Sequence, residues 1–412
     1  MKEFKKSAVI IGGGTISHVR THLALASVAY GSTARRISEL CENHSDKLEV
    51  KTYLTKMANS GKGIIETNKD IKNLVDSLIK DLNVKIIFFN PAMTDFDGEI
   101  EDVISGKYSK RLKSSEKNNI ITLTPSDKVI SSIRKTRKDI FLVGFKTTSG
   151  ATEQEQYLAG LNLLKKSSCN LVLANDVVTR TNMIITPEES KYNVTTDREE
   201  VLKNLVEMAY LRSHLSFTRS TIVSGKLIEW NSDEVFPTLR EVVNYCIKQN
   251  AYKPFNGATV GHFACKIGDK TFLTSIRKTN FNDIEKNGLV KVETDGDDTV
   301  IAYGAKPSVG GQSQRIIFSE HNDYDCIVHF HCPVREGSEV PVVSQREFEC
   351  GSMSCGQNTS NGLKRFGNLS AVMLDNHGPN IVFHHSISPE EVISFIENNF
   401  ILSEKTGGLV TA

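Results

Sequence analysis

The 412-residue sequence predicts an α/β protein, in which a doubly wound parallel (Rossmann-like) sheet is followed by an α+β domain. Three observations support this prediction. The chain is too long for a single hydrophobic core and suits two domains of ordinary size. Before about residue 220, compact apolar runs alternate with helical patterns. After it, short strand-like segments follow in quick succession, so we predict domains at 1–225 and 226–412.

Strand and helix patterns alternate along the first half. Apolar runs without alternation are typical of strands buried on both faces, and apolar positions three and four residues apart indicate amphipathic helices. By these criteria the strands are 7–11, 47–53, 84–90, 140–145 and 170–176, and the helices are roughly 20–42, 68–81 and 152–165. Ligands of such sheets bind beyond the carboxyl ends of the strands, where the glycines after the first strand and the pair Asn175-Asp176 both fall.

The second half predicts a separate α+β core. A helix is expected over 237–249, because Pro237 suits the first turn of a helix. A final helix is expected to begin after a Ser388 cap. The predicted strands are 260–266, 271–275, 289–293, 299–303, and the apolar segments 326–332, 371–378 and 380–385.

The net charge and the cysteine content limit the classes of partner and the cellular compartment that we expect for this protein. A net charge of +1 provides no overall field to recruit nucleic acid or a membrane surface. No apolar run reaches the roughly 18 residues that cross a bilayer. Eight cysteines without a secretory signal or repeated close pairing indicate reduced thiols. We therefore expect a cytoplasmic protein with small-molecule ligands, and neither a nucleic-acid nor a membrane partner.

His329, His331 and His377 are predicted to hold a divalent metal ion, with Zn²⁺ as the expected ion. Strand alternation would place His329 and His331 on one face, roughly 7 Å apart. Two such imidazoles can chelate an ion when a third ligand arrives from elsewhere. His377 is expected to end a further strand, where Gly378 allows the chain to turn past the metal.

Other potential ligands lie in the same region. Cys350 and Cys355 are interpreted as buried reduced thiols, with half of a structural zinc site as the alternative. His384 and His385 are interpreted as surface or core histidines rather than ligands. The neighbouring cysteines are Cys326 and Cys332.

Short motifs recur in a defined order through the first half. Glycines after a strand let backbone amides approach a phosphate, which alone is weak evidence for a phosphate site. The motifs are Gly13-Gly14-Thr15, Val19-Arg20, 92–96 (AMTDF), 111–114 (RLKS), 142–145 (LVGF) and 174–177 (ANDV). In this order and spacing they resemble phosphopantothenoylcysteine synthetase, a ligase of coenzyme A synthesis, over nearly all of residues 7–210.

That resemblance implies a reaction in which a carboxylate attacks the α-phosphate of CTP or ATP, with Mg²⁺ on the triphosphate. An amine then opens the acyl-nucleotidate and gives an amide. The basic segment Lys107–Lys117 would surround the phosphates as a flap, or else be a solvated loop. The resemblance implies catalytic roles for Arg111, Lys113 and Asn175. It implies a nucleotide site lined by Gly13, Gly14, Thr15, Asp95, Lys110 and Phe145.

One departure concerns the amide-forming step. The family has an Asn-x-Ser-Ser-Gly segment near the next helix, where this chain has Ser27–Gly31. The missing asparagine is associated with turnover of the acyl-nucleotidate. We expect the chain to keep the fold of the family. Because the asparagine is missing, the family's usual substrates do not follow from these residues.

Residues 237–398 resemble the class II aldolase/adducin domain family. The segment Gly261–Ala264 stands at the family's Gly-Asn-x-Ser turn, Thr274 at its Thr-Pro-x-Gly segment, and Pro307-Ser308 at its Pro-Ser-Ser-Glu segment. Both histidine motifs match directly. In the enzymes of that family three histidines hold Zn²⁺, which polarises a substrate carbonyl or stabilises an enediolate.

The proton-transferring glutamate of that family is replaced by Gly310. Loss of a general base costs about 10²–10⁴-fold in rate, so the domain is predicted to bind a metal without necessarily cleaving carbon–carbon bonds. Glu347 and Glu349 are candidates to replace the glutamate. Arg277 and Lys278 are candidates to attract an anionic ligand.

These residues and resemblances lead to three alternative hypotheses for the function. The first is a nucleotide-dependent ligase acting on a carboxylate, fused to an aldolase-like domain. The second is a metal-dependent lyase or epimerase carried by the C-terminal domain. The third is a non-catalytic ligand-binding protein. The family resemblances imply a homo-oligomer, a dimer through the first half or a tetramer through the second.

Overall fold

The computed structural model describes residues 5–100, 103–113, 119–296, 299–308 and 311–406, with only the backbone for 311–313. Gly310 and residues 114–117 of the basic segment lie outside the described residues. Contacts between Cα atoms divide the chain into two units. They are Met1–Pro187 with Asn193–Ser213, and Glu188–Tyr192 with His214–Ala412. The domain boundary near residue 225 stays a prediction.

The elements up to Ser213 largely follow the apolar runs of the sequence. The strands are β1 (Ser7–Gly14), β2 (Ile16–Arg20), β3 (Leu23–Ala26), β4 (Glu49–Leu54), β5 (Val84–Ala92), β6 (Phe96–Glu99), β7 (Thr122–Pro125), β8 (Phe141–Thr148), β9 (Leu171–Asp176), β10 (Asn182–Ile185) and β11 (Lys191–Thr195). The helices are α1 (Ser32–Glu42), α2 (Asn68–Leu78), α3 (Ile130–Thr136), α4 (Glu153–Ser167) and α5 (Arg198–Ser213).

The main sheet of this unit confirms the predicted doubly wound parallel fold. Its seven strands follow the order β11-β10-β9-β8-β5-β1-β4. The five strands from β9 to β4 pair in parallel, and β10 pairs antiparallel with β9. Every residue of β1 is buried, because the central strand is covered on both faces. The strand order reverses direction at β1 and β5, so the carboxyl ends of these two strands form the topological switch point.

The first predicted helix is shorter than expected. Residues 16–26 form the β2–β3 hairpin instead of the start of a helix, and α1 begins only at Ser32. In β3 half-buried and exposed side chains alternate, which is the period of a strand. Gly31, with φ 75°, immediately precedes α1 and ends the extended chain.

The second unit contains most of the remaining elements. Its strands are β12 (Arg219–Val223), β13 (Pro254–Phe255), β14 (Ala258–Thr259), β15 (His262–Gly268), β16 (Thr271–Ser275), β17 (Leu289–Thr294), β18 (Thr299–Tyr303), β19 (Cys326–His329), β20 (Val342–Val343), β21 (Lys364–Phe366), β22 (Leu369–Leu374) and β23 (Gly378–Phe383). Its helices are α6 (Pro237–Lys248), α7 (Ile284–Asn287), α8 (Gly311–Glu320), α9 (Met353–Gly362) and α10 (Pro389–Asn399), with a 3-10 turn at Phe281–Asp283.

A ten-stranded sheet organises this unit and confirms the predicted α+β architecture. Its order is β12-β18-β17-β16-β15-β19-β23-β22-β20, with β21 beside β22. Antiparallel pairing places His262 of β15 opposite His329 of β19. Helix α10 begins after Ser388 as predicted, but the Ser388 hydroxyl donates to Glu390 instead of accepting a backbone amide. No helix within the described ranges is long and apolar enough to span a bilayer.

Candidate metal centre and nucleotide site

His329, His331 and His377 form one buried cluster, which we call the three-histidine centre. Their relative exposures are 2%, 7% and 3%. One nitrogen of each ring lies within 4.8 Å of the others. The Nε2 atoms of His329 and His377 are 3.3 Å apart. Tetrahedral zinc with Zn–N bonds of ~2.0–2.1 Å places its ligand nitrogens about 3.3–3.4 Å apart, so these side chains fit such an ion.

The histidines reach this cluster differently from the sequence prediction. Strand β19 ends at His329, so His331 follows the strand and does not share its face by alternation. His377 does not end β22. Leu374 pairs with Gly378, which leaves a three-residue loop before β23 that contains His377. Asn376 in this loop has φ 54°, as a tight hairpin connection requires.

Gly378 has a different role from the predicted sharp turn. A Cβ atom at this position would lie 2.1 Å from the carbonyl oxygen of Phe330. The absence of a side chain therefore lets the His377 loop approach the backbone between His329 and His331.

The protonation of His329 is set by its backbone contact. Its Nδ1 lies 2.7 Å from the carbonyl oxygen of Pro379, which can only accept a hydrogen bond. Nδ1 therefore carries the proton, and Nε2 presents its lone pair towards His377. Burial lowers the pKa of His329 to about 4, although the bond to Pro379 opposes this shift. The imidazole is thus neutral near pH 7, as a metal ligand must be.

The loops that carry His331 and His377 are anchored by the segment Glu188–Tyr192, which belongs to the second unit. The Ser190 hydroxyl donates to the Asn376 carbonyl, next to His377. Glu189 and Lys405 form an ion pair of 2.7 Å in which each side chain is 2% exposed. The amide after Lys405, that of Thr406, donates to the His331 carbonyl over 3.0 Å. Sequence reasoning missed this support, because its residues are remote in the chain and match no motif.

The glycines of the first unit lie at the switch point, but as part of β1 and not in a turn. A Cβ on Gly13, whose φ is 103°, would lie 2.2 Å from the Thr55 hydroxyl oxygen. A Cβ on Gly14 would lie 2.0 Å from the Ser27 carbonyl oxygen. Close packing within the protein therefore already requires both glycines.

The polar groups beside these glycines already have partners. The amides of Gly14 and Thr15 donate to the carbonyls of Ala29 and Ala92, over 2.8 and 3.0 Å. The Thr15 hydroxyl donates to Asn68 Oδ1 over 2.7 Å and accepts from the Thr94 amide over 2.9 Å. A phosphate role for Gly13, Gly14 and Thr15 stays a prediction, and it would depend on shape more than on these donors.

Three further predicted residues lie along the same carboxyl edge. Asp95 follows β5 and pairs with Lys128 at the surface. Phe145 lies half-buried in β8. Asn175, near the end of β9, accepts a hydrogen bond from the Thr147 hydroxyl over 3.3 Å. Its side-chain amide nitrogen has no protein partner among the described residues, so this donor is available to a ligand.

The neighbour Asp176 has a structural role. Its carboxylate accepts backbone hydrogen bonds from Gly150, Ala151, Val178 and Thr179. Burial opposes its ionisation, but these bonds together lower the pKa of the carboxyl group far below its usual range. Asp176 thus fixes the loop that precedes α4 and positions Asn175.

The basic segment lies between β6 and β7. Lys107 is already paired with Glu66 at 2.6 Å, and this bond lowers the pKa of the Glu66 carboxyl. Lys110, Arg111 and Lys113 are exposed and form no ion pair with the described residues. Their charges are available to an anion, whereas that of Lys107 is largely neutralised.

Residues 240–387 match the class II aldolase and adducin N-terminal domain family. Two curated relatives are both described as coenzyme A biosynthesis bifunctional protein CoaBC. The one from Thermococcus kodakarensis is 25% identical over 111 residues, 27% of this chain and 26% of that protein. The one from Methanocaldococcus jannaschii is 26% identical over 182 residues, 43% of this chain and 42% of that protein. The chain thus spans less than half of the length of either relative.

Two solved structures are similar at low identity. The DNA/pantothenate metabolism flavoprotein from Streptococcus pneumoniae is 20% identical, with 49% of this chain and 97% of that chain covered and a TM-score of 0.41. An L-fuculose 1-phosphate aldolase is 16% identical, with 40% and 85% covered and a TM-score of 0.31. The two-part resemblance predicted from the motifs is confirmed: phosphopantothenoylcysteine synthetase in the N-terminal half and a class II aldolase/adducin domain in the C-terminal half.

The aldolase-like domain has a fourth buried histidine beside its centre. His262, which replaces the asparagine of the family turn, is 5% exposed and stacks on His329 with ring centroids 4.6 Å apart. Its Nδ1 lies 2.7 Å from the Gln314 side-chain amide. No sequence motif marks Gln314 as a functional residue. The antiparallel pairing of the predicted strands around 262 and 329 would have been the signal for His262.

The described residues place no carboxylate in the three-histidine centre. Glu347 is exposed and Glu349 is buried, and neither belongs to the group of ligand atoms within 4.8 Å of one another. Arg277 and Lys278 are exposed beyond the end of β16. Their roles towards a proton or an anion stay predictions.

The interpretation of the cysteines as reduced thiols stays a prediction. All eight lie in the described ranges and none forms a disulfide bond, and neither candidate metal cluster there includes one. Cys326, Cys332 and Cys355 are buried, whereas Cys350 is only half-buried, which differs from the prediction. Burial raises the pKa of the Cys332 thiol to about 12, which disfavours the thiolate that zinc binds.

Proposed function

We propose that this protein is a nucleotide-dependent ligase that activates a carboxylate, such as 4'-phosphopantothenate, and joins it to an amine such as cysteine. The reaction would use CTP or ATP with Mg²⁺. The observation that carries the proposal is the similarity to two proteins described as coenzyme A biosynthesis enzymes. The predicted ligand residues on the carboxyl edge of the parallel sheet support it.

Two groups of side chains would do different work in this reaction. Lys110, Arg111 and Lys113 would neutralise the triphosphate and the charge that develops when pyrophosphate leaves. Asn175 would donate its side-chain amide to the acyl substrate, because the Thr147 hydroxyl already occupies its oxygen. The backbone at Gly14 and Thr15 would shape the site. Its amides would not donate to the phosphates, because they already donate to carbonyls of the protein.

Pyrophosphate release tests the ligase directly. The protein is incubated with CTP or ATP, Mg²⁺, phosphopantothenate and cysteine, and product is measured beside pyrophosphate. We expect carboxylate-dependent release that falls about 10²–10³-fold in an Arg111→Ala/Lys113→Ala variant. Lys138→Ala removes an exposed lysine before the amino end of β8 and is expected to retain full activity.

Two results separate the half-reactions. Pyrophosphate without amide product would place the defect in the second step, where the family asparagine is replaced within Ser27–Gly31. No release with either nucleotide, together with no nucleotide binding, would rule out the ligase and favour a non-catalytic ligand-binding protein.

The second candidate function is a metal-dependent lyase or epimerase, and the three-histidine centre favours it. His329, His331 and His377 would hold a divalent ion, which when bound polarises a carbonyl or stabilises an enediolate. The chain would contribute a neutral His329, held by Pro379, and the buried pair of His262 and Gln314 beside it. Loss of turnover on phosphorylated sugars in His329→Ala, with ligase activity unchanged, would assign chemistry to this domain.

We further propose a cytoplasmic homo-oligomer, a dimer or a tetramer. The absence of disulfide bonds among the eight described cysteines supports a reducing compartment. Light scattering on the purified full chain would give the number of subunits.

A further inference from the structure

A second group of potential metal ligands lies outside the three-histidine centre. Asp325, His384 and His385 each present a ligand atom, and these atoms lie within 4.8 Å of one another. We propose that this group, the surface cluster, is a second binding site for a divalent transition metal such as Zn²⁺. The proposal is independent of the ligase and of any chemistry at the first centre.

Strand pairing brings these residues together. Antiparallel β19 and β23 place Cys326 opposite Phe383, so the residue before one strand meets the residue after the other. The Asp325 amide donates to the Phe383 carbonyl over 3.2 Å. The cluster therefore lies at the end of two paired strands and does not depend on a long loop.

The carboxylate is already oriented. Asp325 Oδ1 accepts the backbone amide of His385 over 2.7 Å. Its other oxygen, Oδ2, hydrogen-bonds to His385 Nδ1 and lies 3.6 Å from His384 Nε2. That second distance is too long for a hydrogen bond but close to the spacing of two ligands around one zinc ion. Oδ2 thus faces both imidazoles at once.

The outer side of each imidazole also has a partner. His384 Nδ1 accepts the Ser386 backbone amide over 3.3 Å and lies 2.8 Å from the Ser386 hydroxyl. These two contacts orient the ring, whose Nε2 atom faces Asp325. The His385 ring stacks on Phe236 with centroids 4.3 Å apart, which fixes its orientation.

The donors and the exposure select the kind of ion. Two imidazole nitrogens and one carboxylate oxygen suit zinc, nickel or cobalt better than magnesium or calcium. The side chains of His384 and His385 are 46% and 43% exposed, against 14% for Asp325. Water can therefore complete the coordination, and the site is accessible to free metal, unlike the buried first centre.

Metal content per chain tests the proposal. The full-length protein is equilibrated with excess Zn²⁺, dialysed against a weak chelator and measured by elemental analysis. We expect His384→Ala and Asp325→Asn each to lose one equivalent of zinc relative to wild type. The asparagine can still accept the His385 amide, so this variant keeps the turn. His22→Ala, which removes an exposed imidazole of the first unit, is expected to lose none.

Each result of this measurement either supports the second metal site or overturns it. Unchanged zinc content in both cluster variants would overturn the proposal, and Asp325 would then serve as a hydrogen-bonded brace for His385. An equal loss in His22→Ala would also overturn it, since surface imidazoles in general would then hold the ion. Failure of the first centre is distinguishable, because zinc content would then be insensitive to His329→Ala but still sensitive to His384→Ala.

Discussion

The three-histidine centre and the glycine segment of β1 both match a family motif, but they differ in what their polar groups contact. At the centre, His329 uses Nδ1 to bond Pro379 and keeps Nε2 towards the cluster. In the glycine segment, the amides of Gly14 and Thr15 already donate to carbonyls of the protein. A matching motif therefore predicts position in the fold, whereas only the structure shows whether a donor or a lone pair remains for a ligand.

The largest expected effect concerns the support of the centre. Lys405→Met removes the buried cation that pairs with the Glu189 carboxylate, which we expect to cost about 3–5 kcal/mol in the free energy of unfolding. Urea denaturation of the zinc-free protein measures this. Lys364→Met removes one partner of an exposed ion pair with Glu339 and is expected to cost less than about 1 kcal/mol. Equal effects in both variants would contradict the anchoring role of Lys405.

The second prediction tests whether packing explains the glycine segment. Gly14→Ala places a methyl group against the Ser27 carbonyl, and we expect a loss of about 1–3 kcal/mol in stability. At Gly106 the nearest atom to an added methyl group would be the Ser109 hydroxyl oxygen at 3.4 Å, so Gly106→Ala should change stability little. A stable Gly14→Ala protein that fails only in nucleotide binding would instead indicate a direct phosphate role.

The third prediction is a pH dependence at the centre. Burial lowers the pKa of folded His329 to about 4, below the value of about 6.5 for an unfolded histidine. As pH falls, the unfolded state takes up the proton first, so metal-free protein should lose stability between about pH 6.5 and pH 4. Bound zinc should extend this loss to lower pH and make it larger, since the metal competes with protons for the histidine only in the folded state. Thermal melts across this range, with and without zinc, measure it.

The smallest effect on stability is expected at Asn175, whose side-chain amide is the available donor at the carboxyl edge of the parallel sheet. Asn175→Ala removes a half-buried amide whose described bond is to Thr147, so stability should change by about 0.5–1.5 kcal/mol at most. Ligase turnover should nevertheless fall. Asp176→Asn is the contrasting variant, because it weakens the bonds that fix the loop before α4 and should reduce stability as well.

Much of the fold could be predicted from local patterns. Runs of apolar residues predicted the positions of β5, β8 and β9. Apolar residues three and four positions apart predicted α2 and α4. The β2–β3 hairpin could not be predicted, because its residues also suit a helix. Only contacts with the neighbouring strands favour the hairpin over the helix. The histidines could be named from sequence, but their geometry depends on where β19 and β22 end. The Glu189–Lys405 pair joins residues 216 positions apart, and no local pattern contains it.

The central claim is that His329, His331 and His377 bind one divalent ion together. Zinc titration in the presence of a competing chromophoric chelator tests it most directly, with His377→Ala compared against His321→Ala, which alters a histidine bonded to Ser360. We predict that His377→Ala weakens the tightest zinc site by roughly 100-fold or more, while His321→Ala leaves it unchanged. Wild-type protein that competes for zinc no better than His377→Ala would contradict the claim.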